Sequence, residues 1–211
     1  PGDFGEDTIS LHVLDNDAWG RFTVNNVNDF DNSCTEPEDE VLTEVCTVAV
    51  PENQAPGSGE LAEAITFDGW LDQGSVKGFQ CNNPAAVPPV GPCAADSTEG
   101  NNIHEPGTEG PLFWDDVTVD EASEGPFDIS DVLSAAYSLG VACTDVDGNT
   151  AYSLCHGLAL DGRMVGSATY YFGLSWELPE DVGNEAQSDS LEADMVFEVE
   201  QHRNNLTPFT P

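Results

Sequence analysis

Two stretches near the C-terminus alternate between apolar and polar positions, and that alternation limits the fold more than any other feature. From Tyr170 to Leu178, Tyr170, Phe172, Leu174, Trp176 and Leu178 share one face, while Tyr171, Gly173, Ser175 and Glu177 share the other. Further on, Ala193, Met195, Phe197 and Val199 alternate with Asp194, Val196, Glu198 and Glu200. An apolar face opposite a polar, acidic one at this period describes a half-buried β-strand. Strands of that kind belong to antiparallel sheets with one side on a core and one in water. Pro179–Ser190 between them is polar, carries Gly183 and reads as a loop. The expected fold is an all-β sandwich whose core draws heavily on these two strands.

The rest of the chain fits that class. Thr8–Leu14 alternates Ile9, Leu11 and Val13 against Ser10 and His12, a strand that Asp15-Asn16-Asp17 ends. Trp19–Val24 reads as the next strand, and Asn25–Glu44 as a polar, acidic connection. Pro51–Ser58 is a loop, Gly59–Ala64 a helical turn, and Ile65–Leu71 a strand. Residues 72–110, rich in Gly, Pro and Asn, form a long excursion of the kind that usually serves a purpose. Leu112–Val119 is a short strand. One helix is well signalled: Asp128 is a natural N-cap, Ile129, Val132, Leu133, Ala136 and Tyr137 share a face, and Gly140 stops it. Val141–His156 reads as a hairpin around Asp147-Gly148, and Leu158–Leu160 as a further short strand. Nothing marks a second domain, so residues 1–203 are expected to form one sandwich with long loops and one or two short helices. Residues 204–211 are expected to be a loose tail.

Charge narrows the setting. Against 40 Asp and Glu the chain has only Arg21, Lys77, Arg163 and Arg203 as basic residues, for a formal charge of −36. At low salt such a surface repels itself; at molar salt, where the Debye length is ~3 Å, the penalty largely disappears. Disorder is the alternative reading of so acidic a chain, but four Trp, ten Phe and clean strand patterns argue for a folded protein of a very salty environment. The same charge excludes binding to nucleic-acid backbones and anionic lipid, and favours binding of cations. No apolar run is long enough for a membrane span. The chain opens on Pro1-Gly2-Asp3 without an initiator Met or a signal peptide, which suggests a mature or partial chain.

The six cysteines fall in three pairs, Cys34/Cys46, Cys81/Cys93 and Cys143/Cys155, each 12 residues apart. Six cysteines allow about 15 pairings, and the equal local intervals favour the sequential one. No C-x-x-C occurs, so a zinc site is not indicated. Disulfides imply an oxidising, extracellular compartment.

Catalytic signatures are absent. There is no H-E-x-x-H and no G-x-S-x-G, and His12, His104, His156 and His202 are scattered singly. Asp145, Asp147 and Asn149 alternate as oxygen ligands do in calcium loops, with calcium or another cation as the ligand such a loop would take, but the terminal Glu of that motif is missing. A D-G hairpin turn is the competing reading. Asp15, Asp17, Asp115 and Asp116 are further carboxylates in the right company for cations. No cofactor is required by any motif. Asn205-Leu206-Thr207 is the single glycosylation sequon.

Four segments carry a family resemblance. TYYFGLSWELPEDVGNEAQSDSLEADMVFEVEQHR, the opening PGDFGEDTISLHVLDNDAW, GELAEAITFDGWLD and PFDISDVLSAAYSLG resemble the haloarchaeal branch of the TasA/camelysin family, secreted proteins processed by a SipW-type signal peptidase. The resemblance is scattered from Pro1 to about Asn205 and carries no catalytic signature. It implies a jelly-roll sandwich that polymerises into extracellular fibres at the cell surface, a homopolymer completed by strand exchange, with a further strand upstream of the PGD turn. Two other functions compete with this one. The first is a secreted metallopeptidase of the camelysin type, against which the histidine inventory argues. The second is a cation- or glycan-binding surface module using residues 72–110.

Overall fold

The computed structural model describes residues 1–32, 59–73, 100–107, 109, 111–139, 158–166, 168–205 and 207–209. Seven strands lie within them: β1 (Phe4–His12), β2 (Ala18–Phe30), β3 (Thr66–Leu71), β4 (Trp114–Thr118), β5 (Phe127–Asp128), β6 (Thr169–Glu177) and β7 (Ser190–Gln201). They form two antiparallel sheets, one in the order β1-β6-β3-β4 and one in the order β5-β2-β7. β1 pairs with β6 and β2 pairs with β7, so consecutive strands at both ends of the chain pass from one sheet to the other.

The two sheets enclose one core in a sandwich-like arrangement. Phe22 of β2 meets Trp114 of β4 edge-on at 5.0 Å, and Phe113 meets Phe172 of β6 at 6.4 Å. Tyr170, Phe172 and Leu71 are buried from one side, and Ala18, Phe22 and Val24 from the other. The alternation of β6 holds at Tyr170 and Phe172, which face the core, whereas Trp176, expected on the same face, is exposed near the strand's end. β7 contributes less than expected. Its apolar residues Leu191, Met195 and Phe197 are only partly buried against the cluster, and β2 is the strand at the centre of that sheet.

Three short helices complete the described fold: α1 (Leu61–Ala64), α2 (Val119–Ser123) and α3 (Ile129–Leu139). α2 begins with a capping box, in which the Thr118 side chain accepts from Glu121 N and the Glu121 side chain accepts from Thr118 N. α3 follows β5 directly and turns Ile129, Leu133 and Ala136 into the core. Both α2 and α3 pack on β2, the central strand of its sheet.

Three sequence expectations change. The strand starting at Trp19 continues through Asn25 to Phe30, across a bulge where Asn26 takes a positive φ of 51° and donates Nδ2–H to Asp194 Oδ2 at 2.8 Å. Asn and Asp favour turns, which is why a polar, acidic connection is the expectation from Asn25 on; the bulge absorbs these residues within the strand. Leu158–Leu160 is not a strand: Leu158 and Ala159 are buried, Leu160 is exposed, and the chain turns at Asp161-Gly162. The C-terminal segment expected to be loose is held as far as Phe209. Glu200 Oε2 accepts from Asn205 Nδ2 and Phe209 N, Trp19 Nε1 donates to the Asn205 carbonyl, and Arg21 lies 4.4 Å over the Phe209 ring.

Candidate functional site

The two sheets differ in how their edges are finished. Among the described residues no strand pairs with the outer side of β7, a strand of 12 residues. Its face toward the solvent carries Glu192, Asp194, Glu198 and Glu200, of which Glu198 pairs with Arg21 at 2.6 Å. On its core-side face, Val199 remains 58% exposed. β1, the edge of the other sheet, ends nearby. Together the end of β1, the link to β2, Met164 and the end of β7 line a groove of about 450 Å³, with Leu11, Val13, Ala18, Met164 and Val199 as its apolar wall. Asp17, at the rim of the groove, sits in a clamp. Asp17 accepts from Arg163 Nε at 2.7 Å and from Gly166 N at 2.9 Å, and Arg163 Nη1 also binds Asp161. An unpaired row of backbone N–H and C=O groups beside an apolar groove can take up another strand.

The second notable cluster lies at the other end of β3. Asp72, directly after β3, is fully buried, and its carboxylate accepts from Gly100 N at 2.8 Å and Asn102 N at 3.0 Å. This fastens the segment starting at Gly100 to the sheet. Glu105 and Glu109 close the segment on themselves: Glu105 N donates to Glu109 Oε2 at 2.7 Å, and Glu109 N donates to the Glu105 carbonyl at 3.0 Å. One carboxylate oxygen each from Asp72, Glu105 and Glu109 lies within 4.8 Å of the others. Burial pushes the Glu109 carboxyl up to about 8, and its hydrogen bond to Asp72 and the charges of Asp72 and Glu105 add to the rise. Burial also raises Asp72, against the lowering effect of the Asn102 and Gly100 N–H groups. Such a group can share a proton or hold a cation.

Sequence reasoning missed this cluster. Asp72 stands 33 and 37 positions from Glu105 and Glu109, and nothing in the sequence separates these three acids from the other 37. The available hint was the Asn/Gly-rich character of the 72–110 excursion, which carries all three of them.

The residues singled out by sequence are placed as follows. Cys34, Cys46, Cys81, Cys93, Cys143 and Cys155 lie outside the described residues, as do Asp145, Asp147 and Asn149. Asn205 is described, and its Nδ2, the atom a glycan would take, is engaged with Glu200 at 2.7 Å. His12 bonds Thr169, His104 packs on Trp70, and His202 packs on Trp19 with Asp161 at 3.4 Å, so the described histidines do not converge. Asp17 serves the Arg163 clamp. Asp116 adopts a positive φ of 55° while its N–H donates to Asp68. No described helix is long and apolar enough to cross a membrane. No family model, curated protein or solved structure matches the chain.

Proposed function

We propose that the chain is a structural subunit of an extracellular filament of a halophilic microbe, completed between subunits by a strand that a neighbour lays along β7. The observation carrying this reading is the outer edge of the 12-residue β7, with which no described strand pairs, beside an apolar groove that includes Val199. α2 and α3 pack on β2, and α1 reaches β7 near its start, where Glu60 N donates to Asp189 Oδ2. The charge on β7 selects the partner. An antiparallel contact between two copies of β7 would set Glu192, Asp194, Glu198 and Glu200 against like charges, which is destabilising. The incoming strand is therefore a different segment of the neighbour. A contact between two different surfaces does not close on itself and propagates into a fibre.

Negative-stain electron microscopy in molar NaCl tests the reading, with wild type compared with Val199→Asp. Val199 is exposed in the single chain, so the substitution should leave the fold intact while placing a charge in the groove. Long fibres of wild type and folded, soluble monomers of the variant are expected. Wild type that stays monomeric, or variant fibres equal in number and length, would contradict it.

A further inference from the structure

We propose that the strand donated by a second copy of this chain docks at the C-terminal end of β7, beside Val199, and that a carboxylate on it pairs with Arg203. This contact rests on the filament reading and adds to it the half of the edge that is used and the charge the partner brings.

Charge is graded along β7. At its start, Glu192 and Asp194 form no ion pair with a described basic residue, and Asp194 accepts from the neutral Asn26 amide. At its end the acids are answered. Glu198 pairs with Arg21 at 2.6 Å. Glu200 Oε2 accepts from Asn205 Nδ2 at 2.7 Å and from Phe209 N at 3.0 Å. The apolar groove lies at this answered end, with Val199 in its wall.

The chain's scarce basic residues gather there too. Of its four, Arg21 stands on β2 opposite Glu198. Arg163 holds Asp17 at the rim of the groove, and also Asp161, which lies 3.4 Å from His202 Nε2. Arg203 follows just past the end of β7. With His202 and Asn204 it lines a polar bay of about 700 Å³, and that bay shares Asp15, Asn16 and Asp17 with the groove. The groove therefore runs from apolar side chains into a bay with a guanidinium beside it. Arg21 and Arg163 are committed to acids of their own chain. Arg203 is exposed and forms no ion pair with a described residue, in a chain with 40 Asp and Glu.

These facts select the register of the partner. A second copy, with 40 acids against four basic residues, donates a segment that brings carboxylates. Laid over Glu192 and Asp194, such a segment sets like charges side by side, which is destabilising. Laid beside Val199, it places apolar side chains in the groove and a carboxylate within reach of Arg203. A guanidinium takes a carboxylate through two parallel N–H bonds, which fixes orientation as well as charge. Complementarity of this kind sets register and rejects misplaced pairings more than it adds affinity.

The test uses the whole chain in molar NaCl. The critical concentration for fibres, read by pelleting and negative-stain microscopy, is compared for wild type, Arg203→Glu, Arg203→Lys and Gly125→Glu. Gly125 is exposed beyond α2, where an added Cβ meets no atom within 4 Å, so its variant controls for added negative charge alone. Arg203→Glu should raise the critical concentration at least about fivefold, the upper end of what an exposed ion pair is worth. Arg203→Lys and Gly125→Glu should stay within about twofold of wild type. Arg203→Lys also supplies an amine for carbodiimide coupling. In fibres grown from mixed unlabelled and isotope-labelled copies, peptide mapping should find position 203 joined to an Asp or Glu of another copy. Arg203→Glu fibres at the wild-type concentration, an equal rise in Gly125→Glu, or cross-links confined within one copy overturn the Arg203 contact and leave the filament reading standing. Wild type that forms no fibres removes both.

Discussion

β6 and β7 carry the same alternating pattern and occupy different positions. β6 is paired on both sides, by β1 and by β3, and buries Tyr170 and Phe172 almost completely. β7 is paired only by β2 among the described residues, and none of its residues is fully buried. Alternation states which face of a strand is turned inward. It does not state how many neighbours the strand has, and the number of neighbours decides whether that face is core or rim. In β6 the polar face is covered as well: Trp70 lies on Gly173, where a Cβ would collide with its indole ring. In β7 the polar face is a row of carboxylates in solvent.

The contrast can be broken most forcefully by truncation. Phe172→Ala should destabilise by about 3–5 kcal/mol, as expected for an aromatic removed from a packed core. Phe197→Ala, at the matching kind of position on β7, should cost roughly half as much or less, because Phe197 is only partly buried. Chemical denaturation of both variants checks this, and equal losses would erase the distinction between core and rim. Gly173→Ala should cost about 1–3 kcal/mol by forcing the buried Trp70 to move. A Trp70→Ala background should recover part of that loss.

Salt should separate the strands in a different way. On dilution from molar to about 0.1 M NaCl, screening lengthens from ~3 Å to ~10 Å. The thermal midpoint should fall, and β7, with Glu192 and Asp194 on its bare edge strand, should lose amide protection before β6. A midpoint that holds or rises on dilution would contradict the electrostatic reading.

A further effect concerns pH. Glu109 is raised from 4.5 to about 8 on folding. The folded chain therefore holds more protons than the unfolded one between those values, and stability falls as pH rises through that window. Glu109→Gln should flatten this slope, as read from unfolding midpoints between pH 5 and about 9.

Sequence reading captured what depends on local pattern. The faces of β6 and β7, the strand at Thr66–Leu71 and the helix from Ile129 to Leu139 all follow from residues within a dozen positions of one another. The capping box at Thr118 and Glu121 is just as local, yet the helix it starts, α2, was not among the sequence expectations. What could not be read depends on distant partners. β2 continues past Asn25 because β7 supplies ladder partners as far as Phe30, against the turn preference of its Asn residues. The two-residue β5 is defined only by Arg21 and Phe22 opposite it. The carboxyl cluster exists because Asp72 caps two amides more than 25 residues away.

Amide hydrogen exchange on β6 and β7, in dispersed monomer and after assembly in molar NaCl, tests the central claim most directly. In the monomer, β6 should exchange slowly throughout, whereas alternate amides of β7, those directed away from β2, should exchange fast. Assembly should slow those β7 amides strongly and leave β6 unchanged. Protection of β7 already complete in the monomer, or unaltered in the assembled material, would contradict a subunit that is completed along this edge.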